Sequence, residues 1–457
     1  MNFSHDRGPV FPLEICGMVI RECCIPILDN GMALWTTYKV WRDRTSTLWN
    51  CSLTCRGWHQ YAQPLLFRTI CAGDNDRDYR SIHNLAAIVH EKPELGRLVK
   101  SLIIDARRTG DPSWIAVTLH SHWFPNLADL TLLISCDYDL HHIPRSFSRI
   151  LTTYRSSVQQ LYLHYNDVLG ASRPKGLEKT TVLHALSFLT NITHLQVNFV
   201  NTTTSLRYPM VPPPRNPPGS NMLRSLIVRG LDTPYGADDI VIPLVKKGTI
   251  SLESLEFLRV TFRSVVRTSG LIRECTGSLR ELYLVEYFDF KMSRRDGLYS
   301  LDPSSSIDIS LSSLHGLRQL YCSDIAVSHI ISMLNTLPIP STLTQLDVAG
   351  SSIKFDAINK DTGFLVSDDT PWRELDTALS SSAFPLLCSL NIMIVFYTDD
   401  SNRTYQKKAK EKLEDWLSGC FSRGIVRLTT TYEHGHYADK LFDDLDKARR
   451  HLGFIDP

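Results

Sequence analysis

A short alternation of apolar and polar positions returns along most of the chain. It consists of an apolar residue, two variable residues, a leucine, one variable residue and another apolar residue, as in VQQLYL from Val158 and LRELYL from Leu279. This two-residue period places the leucine and the last apolar residue on one side of a β-strand. The pattern predicts ten strands, with central leucines at positions 102, 130, 161, 195, 226, 255, 282, 320, 346 and 390.

Between these phrases lie stretches with apolar residues three and four apart, such as residues 81–99 and VSHIISMLNTL at 327–337. That spacing predicts helices. One strand and one helix per repeat of nearly thirty residues is the unit of leucine-rich repeats. We therefore expect an α/β fold over residues 80–400, an irregular leucine-rich-repeat solenoid with parallel strands on its concave side and helices on its convex side. An α/β protein with ordinary buried strands is the alternative.

Two insertions and a change of pattern divide the rest of this region. Residues 202–220 are rich in proline and residues 301–313 in serine, and both predict loops. After residue 400 the repeat ends. Residues 401–457 predict a capping segment of helices and one strand, the strand being GIVRLTTTY.

The first eighty residues follow a different pattern. Apolar residues three and four apart run through this stretch, which predicts a helix with one buried face: Leu48, Cys51, Cys55, Trp58, Ala62 and Leu65. Pro64 is expected to end this helix. Cys51, Cys55 and His59 could suggest a metal site, but the chain has no C-x-x-C pair to complete a ligand set. We expect the two cysteines to pack as small apolar side chains, with no metal and no cofactor.

This part of the chain resembles the F-box motif, particularly its form in fungal proteins. The resemblance covers about residues 10–70. It lies in VFPLEICGMVI at residues 10–20, where Pro12, Glu14, Ile15 and Ile20 match, and in the second helix, where Leu53, Cys55, Arg56 and Trp58 match.

An F-box followed by leucine-rich repeats implies a substrate-recognition subunit of a Skp–cullin–F-box E3 ubiquitin ligase. The F-box would dock on the Skp-type adaptor, and through it on a cullin, while the repeats would hold an unknown protein substrate. The residues implied in adaptor binding are Pro12, Leu13, Glu14, Ile15, Ile20, Leu53, Cys55 and Trp58. Such a subunit is not an enzyme, since it only brings the substrate close to the catalytic partner.

Composition limits the classes of partner and the cellular compartments that we expect for this protein. A net charge of +1 in 457 residues gives no electrostatic reason to expect nucleic acid or a membrane surface. No apolar run is long enough to span a bilayer, and the N-terminus does not read as a signal peptide. Eleven cysteines, an odd number, favour a reducing compartment, so we expect the cytoplasm or the nucleus.

Two other classes of protein are alternatives to a ligase subunit. An enzyme is disfavoured because the chain lacks a G-x-S-x-G elbow, a phosphate-binding loop and an H-E-x-x-H motif. The alternative function is a leucine-rich-repeat protein-interaction scaffold with no link to a ligase.

In either case the residue after each central leucine is expected to face outward, and Tyr162, Tyr283 and Tyr321 at that position are the candidate substrate contacts.

Overall fold

The computed structural model describes residues 13–22, 45–54, 56–73, 87–106, 123–135, 150–166, 186, 189–200, 221–231, 237–262, 268–275, 277–286, 309–323, 325–350, 370–396 and 403–432. The fold is mixed α/β. Twelve strands form one parallel sheet whose order follows the chain, and two further strands, β6 and β8, form a small parallel pair.

The strands are β1 Thr69–Gly73, β2 Ser101–Ala106, β3 Asp129–Ser135, β4 Gln160–Asn166, β5 His194–Val200, β6 Asn221–Met222, β7 Ser225–Leu231, β8 Ile250–Ser251, β9 Phe257–Phe262, β10 Glu281–Glu286, β11 Gln319–Ser323, β12 Gln345–Gly350, β13 Ser389–Phe396 and β14 Val426–Tyr432. The helices are α1 Leu13–Glu22, α2 at residues 45–54, α3 Arg56–Arg68, α4 Pro93–Gly96, α5 Ala237–Lys246, α6 Ser269–Glu274, α7 Val327–Leu334, α8 Thr370–Ser380, α9 Arg403–Trp416 and α10 Ser418–Ser422. Short helical turns also occur at residues 87–91 and 150–153.

The described residues fall into two compact units. The N-terminal unit runs from residue 13 to Asp105 and includes residues 123–130. The repeat unit comprises Ala106 and the described residues from Thr131 to Tyr432. No helix in the described part of the chain is long and apolar enough to cross a membrane.

The central leucines of the repeat stand side by side in the repeat unit. The strand register aligns Leu161, Leu195, Leu226, Leu258, Leu282, Leu320, Leu346 and Leu390, and all are almost completely buried. We call this side of the sheet the leucine face. Burying a leucine removes its apolar surface from water, which contributes about 1.5–3 kcal/mol per side chain. The repeated phrase therefore forms the strands that it predicted.

One expected phrase lies three residues too early. We assigned Leu255 as the central leucine of LESLEF, but the strand partners of Leu226 and Leu282 are both Leu258. The segment LESLEFLRV contains two overlapping copies of the pattern, and β9 uses the second. Leu255 instead lies in the turn before β9, where its amide donates to the carbonyl of Leu252. The outward residue of this repeat is consequently Arg259, and not Glu256.

Two aspartates of the repeat unit each link their own helix to a later one. The Asp238 carboxylate of α5 accepts hydrogen bonds from the amides of Gly270 and Leu271 at 2.8 and 2.7 Å. The Asp376 carboxylate of α8 does the same for Gly419 and Cys420, at 2.9 and 2.8 Å. The first amides of a helix have no partner within the helix, so each aspartate supplies acceptors to a later helix: Asp238 to the next one, α6, and Asp376 to α10, the second one along the chain.

Several expectations about helices are confirmed and one is wrong. The C-terminal segment contains the helices α9 and α10, in which Leu413, Trp416 and Cys420 are buried, and β14 is the expected final strand. Pro64 does not end its helix, since α3 continues to Arg68. Proline removes one backbone hydrogen bond, but the following Leu65 and Leu66 pack against the core, and that packing favours continuing the helix. The loop at residues 202–220, residues 301–308 and the last predicted helix lie outside the described residues.

Candidate interaction surfaces

The N-terminal unit has a small core of helical side chains. Ile20 of α1, Leu48 of α2 and Ala62 of α3 are buried at its centre. Partly buried side chains surround them: Cys51, Trp58, Tyr61, Leu65 and Leu66. The predicted stripe through Leu48, Cys51, Trp58, Ala62 and Leu65 is therefore the packed face of these helices. Gly17 allows α1 to approach α3, because a Cβ at this position would lie 3.0 Å from the Tyr61 ring.

The opposite sides of α1 and α2 carry large apolar side chains in solvent. On α1 these are Ile15, Met18 and Val19, which are 43, 61 and 49% exposed. On α2 they are Trp49 and Leu53, which are 55 and 67% exposed. The spacings of three and four residues put each set on one side of its helix. We call these two sets together the exposed apolar patch; apolar side chains exposed in groups mark interaction sites more often than isolated ones do.

The residues expected to bind the adaptor divide into three groups. Ile15 and Leu53 belong to the exposed apolar patch. Ile20 is fully buried and Trp58 packs against the core, so the expectation that both face a partner is corrected: Ile20 offers no surface, and Trp58 offers only part of its ring. Pro12 and Cys55 lie outside the described residues, as do the side chains of Leu13 and Glu14. Met18, Val19 and Trp49 were missed, although their helical spacing is visible in the sequence.

The cysteine and histidine that raised the metal question make ordinary protein contacts. The sulfur of Cys51 packs at the edge of the helical core. The His59 ring donates from Nδ1 to the carbonyl of Ser52 at 3.3 Å. Within the described ranges, no three histidine, cysteine or acidic side chains come together as a metal site.

The side of the repeat sheet opposite the leucine face carries two rows of aligned side chains. The first outer row consists of Tyr162, Gln196, Ile227, Arg259, Tyr283, Tyr321, Asp347, Asn391 and Arg427. The second outer row lies two residues further along each strand and consists of His164, Asn198, Arg229, Thr261, Val285, Ser323, Ala349, Met393 and Thr429. Side chains two residues apart on a strand share a face, so these rows form one continuous surface.

Two of the three tyrosines expected to contact a substrate are buried. Tyr283 and Tyr321 are only 6 and 1% exposed, although both lie on the outer row as expected. Their rings stack with centroids 5.4 Å apart, and the Phe257 ring lies 5.1 Å from Tyr283. Each ring therefore covers its neighbouring strand, and the expectation of exposed contact residues is corrected for these two. Tyr162 is half-buried, and its hydroxyl accepts a hydrogen bond from the Asn198 amide at 2.5 Å.

A buried carboxylate follows the tyrosines in the first outer row. The Asp347 oxygens accept hydrogen bonds from the Gln345 amide at 3.0 and 2.9 Å, and the Asn391 amide donates to one of them at 2.5 Å. These donors satisfy the hydrogen-bonding capacity of a carboxylate that has little access to water. Burial, and to a smaller extent the nearby Asp347, raises the pKa of the Cys322 thiol well above its usual range.

The polar end of the outer face was not anticipated from the sequence. Arg229 and Arg259 lie on neighbouring strands and are only 4 and 6% exposed. Asn221 was also missed: its side-chain oxygen accepts from the Ile192 amide at 3.0 Å, and its amide donates to the Leu189 carbonyl at 3.1 Å, which holds the turn of the preceding repeat. The alternation of apolar and polar residues along a strand assigns the polar ones to solvent. It therefore could not identify buried polar side chains such as Arg229, Arg259 and Asn221.

No protein-family model matches this chain, and no curated protein sequence matches it.

Proposed function

We propose that this protein is the substrate-recognition subunit of a Skp–cullin–F-box E3 ubiquitin ligase. On this proposal the N-terminal helices are a divergent F-box that docks on the Skp-type adaptor, and the repeat unit is an irregular leucine-rich-repeat scaffold that holds the substrate. The protein itself is non-catalytic and works in the cytoplasm or the nucleus. The observation that carries the proposal is the exposed apolar patch, which lies on the same helices as the F-box-like sequence.

The physical support is the contrast between the two sides of α1 and α2. A unit of this size needs its apolar residues in the core, yet Met18 and Leu53 are among the most exposed apolar side chains described. Keeping large apolar surface in water is unfavourable by about 25 cal/mol per Å², so a partner that covers the patch gains that free energy. Tryptophan and methionine, here Trp49 and Met18, are among the residues enriched in the cores of protein interfaces.

A co-purification experiment tests the adaptor contact. Tagged full-length protein is co-expressed with a Skp-type adaptor, and adaptor recovery is compared between wild type and Leu53→Lys. Losing a buried leucine contact costs roughly 2 kcal/mol, so adaptor recovery should fall at least tenfold.

The matched control is Ile339→Lys, because Ile339 is an exposed apolar residue of the repeat unit. This variant should retain the adaptor at the wild-type level. Equal adaptor recovery with wild type and Leu53→Lys would remove the ligase proposal. The second candidate, a leucine-rich-repeat scaffold without a ligase, would then be favoured, since the repeat sheet does not depend on adaptor binding.

A further inference from the structure

The outer face of the repeat unit changes character along the sheet. On β10 and β11 it carries the stacked Tyr283 and Tyr321 rings with Val285 and Ser323. On β4, β5, β7 and β9 it carries seven polar side chains and one isoleucine: Tyr162, His164, Gln196, Asn198, Ile227, Arg229, Arg259 and Thr261. We call these eight residues the polar cluster. None of them is acidic, and two are arginines.

The polar cluster holds buried hydrogen-bonding atoms that the described protein does not satisfy. These atoms are Nε2 of Gln196, Oδ1 of Asn198 and Oγ1 of Thr261. Asn198 and Thr261 are themselves more than nine-tenths buried. Buried polar atoms are nearly always hydrogen-bonded in folded proteins, because leaving them without a partner is costly. Two of these atoms lie on β5 and the third on β9, on either side of β7, which carries Arg229. Together they point to a ligand that completes the cluster.

The charge and the donors of the cluster define that ligand. Arg229 and Arg259 bring two positive charges to the same part of the face, and Gln196 offers an amide N–H that has no acceptor. Rotation of the Asn198 amide by 180° would let the Tyr162 hydroxyl donate to its oxygen and turn its NH2 group into a further donor. Guanidinium and amide donors together match the oxygen atoms of a carboxylate or a phosphate.

We propose that the polar cluster binds an oxyanion group carried by a protein segment. The group is a carboxylate side chain or a phosphate ester, which presents its oxygens to Arg229, Arg259 and Gln196. Because these side chains are largely buried, a narrow charged group reaches them where a flat protein surface does not. That the segment belongs to a ligase substrate rests on the proposed function; oxyanion binding itself does not.

Inorganic phosphate and acetate serve as the two probes. The thermal unfolding midpoint of the full-length protein is measured in increasing concentrations of each, against sodium chloride at the same ionic strength. A ligand that binds only the folded state raises the midpoint as its concentration rises. A higher unfolding midpoint in phosphate alone identifies a phosphate ester as the bound group, and a higher midpoint in acetate alone identifies a carboxylate. A higher midpoint in both means that the cluster accepts either group.

Variants then locate the site. Arg229→Gln and Arg259→Gln should each weaken the affinity for the active probe by roughly tenfold or more, since each removes a charged hydrogen-bond donor. Arg427→Gln is the matched control, because Arg427 lies in the same row at the far end of the sheet and is exposed. It should leave the affinity unchanged. If the arginine variants do not fold, Gln196→Leu tests the same site, because it removes the amide and no charge.

Two results would overturn the proposal. One is an unfolding midpoint that is the same in phosphate, acetate and chloride. The other is a response that Arg427→Gln abolishes as fully as Arg259→Gln does, because the anions then act on the protein's general charge. Adaptor co-purification is measured on the same preparations. If neither anion stabilises the protein but the adaptor is still recovered, the oxyanion proposal fails and the proposed function stands.

Discussion

At the scale of single residues, the stacked tyrosines show how a side chain on the outer face can stabilise the fold. Tyr321 is almost completely buried and its ring lies against that of Tyr283. Aromatic side chains bury large apolar surfaces, and an aromatic pair adds about 0.5–1.5 kcal/mol beyond that burial. Replacing both tyrosines would therefore alter folding as well as any binding.

We predict that Tyr321→Ala lowers the free energy of unfolding by about 3–5 kcal/mol, the usual cost of removing a buried aromatic ring. Urea denaturation followed by circular dichroism gives the measurement. Arg427→Ala is the control, since it removes an exposed side chain of the same row and should change stability by no more than about 0.5 kcal/mol. A Tyr321→Ala protein as stable as the control would mean that the ring is not packed as described.

A second residue-scale prediction concerns pH. Burial, with a smaller effect of Glu274, raises the pKa of the Cys275 thiol from 9.0 to about 12. The folded state therefore keeps this proton where the unfolded state loses it. Above pH 9 stability falls as pH rises, because the unfolded state binds fewer protons.

Between pH 8 and pH 10 we expect wild type to lose about 1 kcal/mol more stability than Cys275→Ala, which has no thiol to titrate at this position. Urea denaturation at the two pH values measures the difference. Ile339→Ala supplies the control, since it changes an exposed side chain that does not titrate and should retain the wild-type pH dependence. Identical pH dependence in wild type and Cys275→Ala would contradict a buried thiol at this position.

At the scale of elements, the turns before the strands of the repeat unit pack closely on one another. Gly316, in the turn before β11, has no room for a side chain, because a Cβ there would collide with the backbone carbonyl oxygen of Gly277. A Cβ on Gly277, in the turn before β10, would meet nothing within 4 Å. Of these two glycines at neighbouring turns, Gly277 therefore has room for a side chain and Gly316 does not.

We expect Gly316→Ala to lower the free energy of unfolding by roughly 1–3 kcal/mol, because backbone must move to admit the new methyl group. Gly277→Ala should be neutral or slightly stabilising, since alanine restricts the unfolded chain. Thermal and urea unfolding of the two variants give the comparison. A Gly316→Ala variant that is as stable as Gly277→Ala would show that the two turns do not pack in this way.

The elements also show what the sequence could predict. The alternation around Leu161, Leu282 and Leu346 specifies strands because one face must be buried, and that requirement is local to each strand. The choice between Leu255 and Leu258 is not local, because it depends on which leucine aligns with those of the neighbouring strands. The same limit applies to Asp238, whose partners Gly270 and Leu271 belong to the next helix.

The candidate sites were less predictable than the strands for a related reason. Helical spacing was sufficient to identify the packed stripe that includes Leu48 and Ala62. It did not separate Ile20, which is buried, from Ile15, which is exposed, because both match the F-box-like motif. Only the packing of α1 against α3 distinguishes them. Burial of Arg229 and Tyr321 likewise depends on their surroundings in the folded chain.

At the scale of the whole molecule, the strands and helices of the repeat unit contact mainly the elements that are close to them in the sequence. In the twelve-stranded sheet each strand from β5 to β13 pairs with the sheet strands before and after it in the chain, and β14 pairs with β13. Asp238 and Asp376 likewise join helices that are close in the sequence. In repeat proteins stability is approximately a sum of repeats and their nearest-neighbour interfaces. Local changes should therefore have local effects.

We predict that Asp376→Ala increases amide hydrogen exchange in α10 and β14 and leaves β4 and β5 unchanged, because the aspartate is the acceptor for the first amides of α10. Hydrogen–deuterium exchange read by mass spectrometry resolves these segments. The companion variant Asp238→Ala should instead raise exchange around α6. An equal rise along the whole sheet in either variant would indicate one cooperative unit and contradict nearest-neighbour stability.

The order of the strands has a consequence for synthesis on the ribosome. From β4 onward, the first main-sheet partner that each strand needs has already been made, with central leucines separated by at most the 44 residues between Leu346 and Leu390. Nascent chains emerge from the N-terminus, and short sequence separation between contacts favours rapid folding. The growing chain can thus extend the sheet one strand at a time, with the last strand formed serving as the template for the next while translation continues.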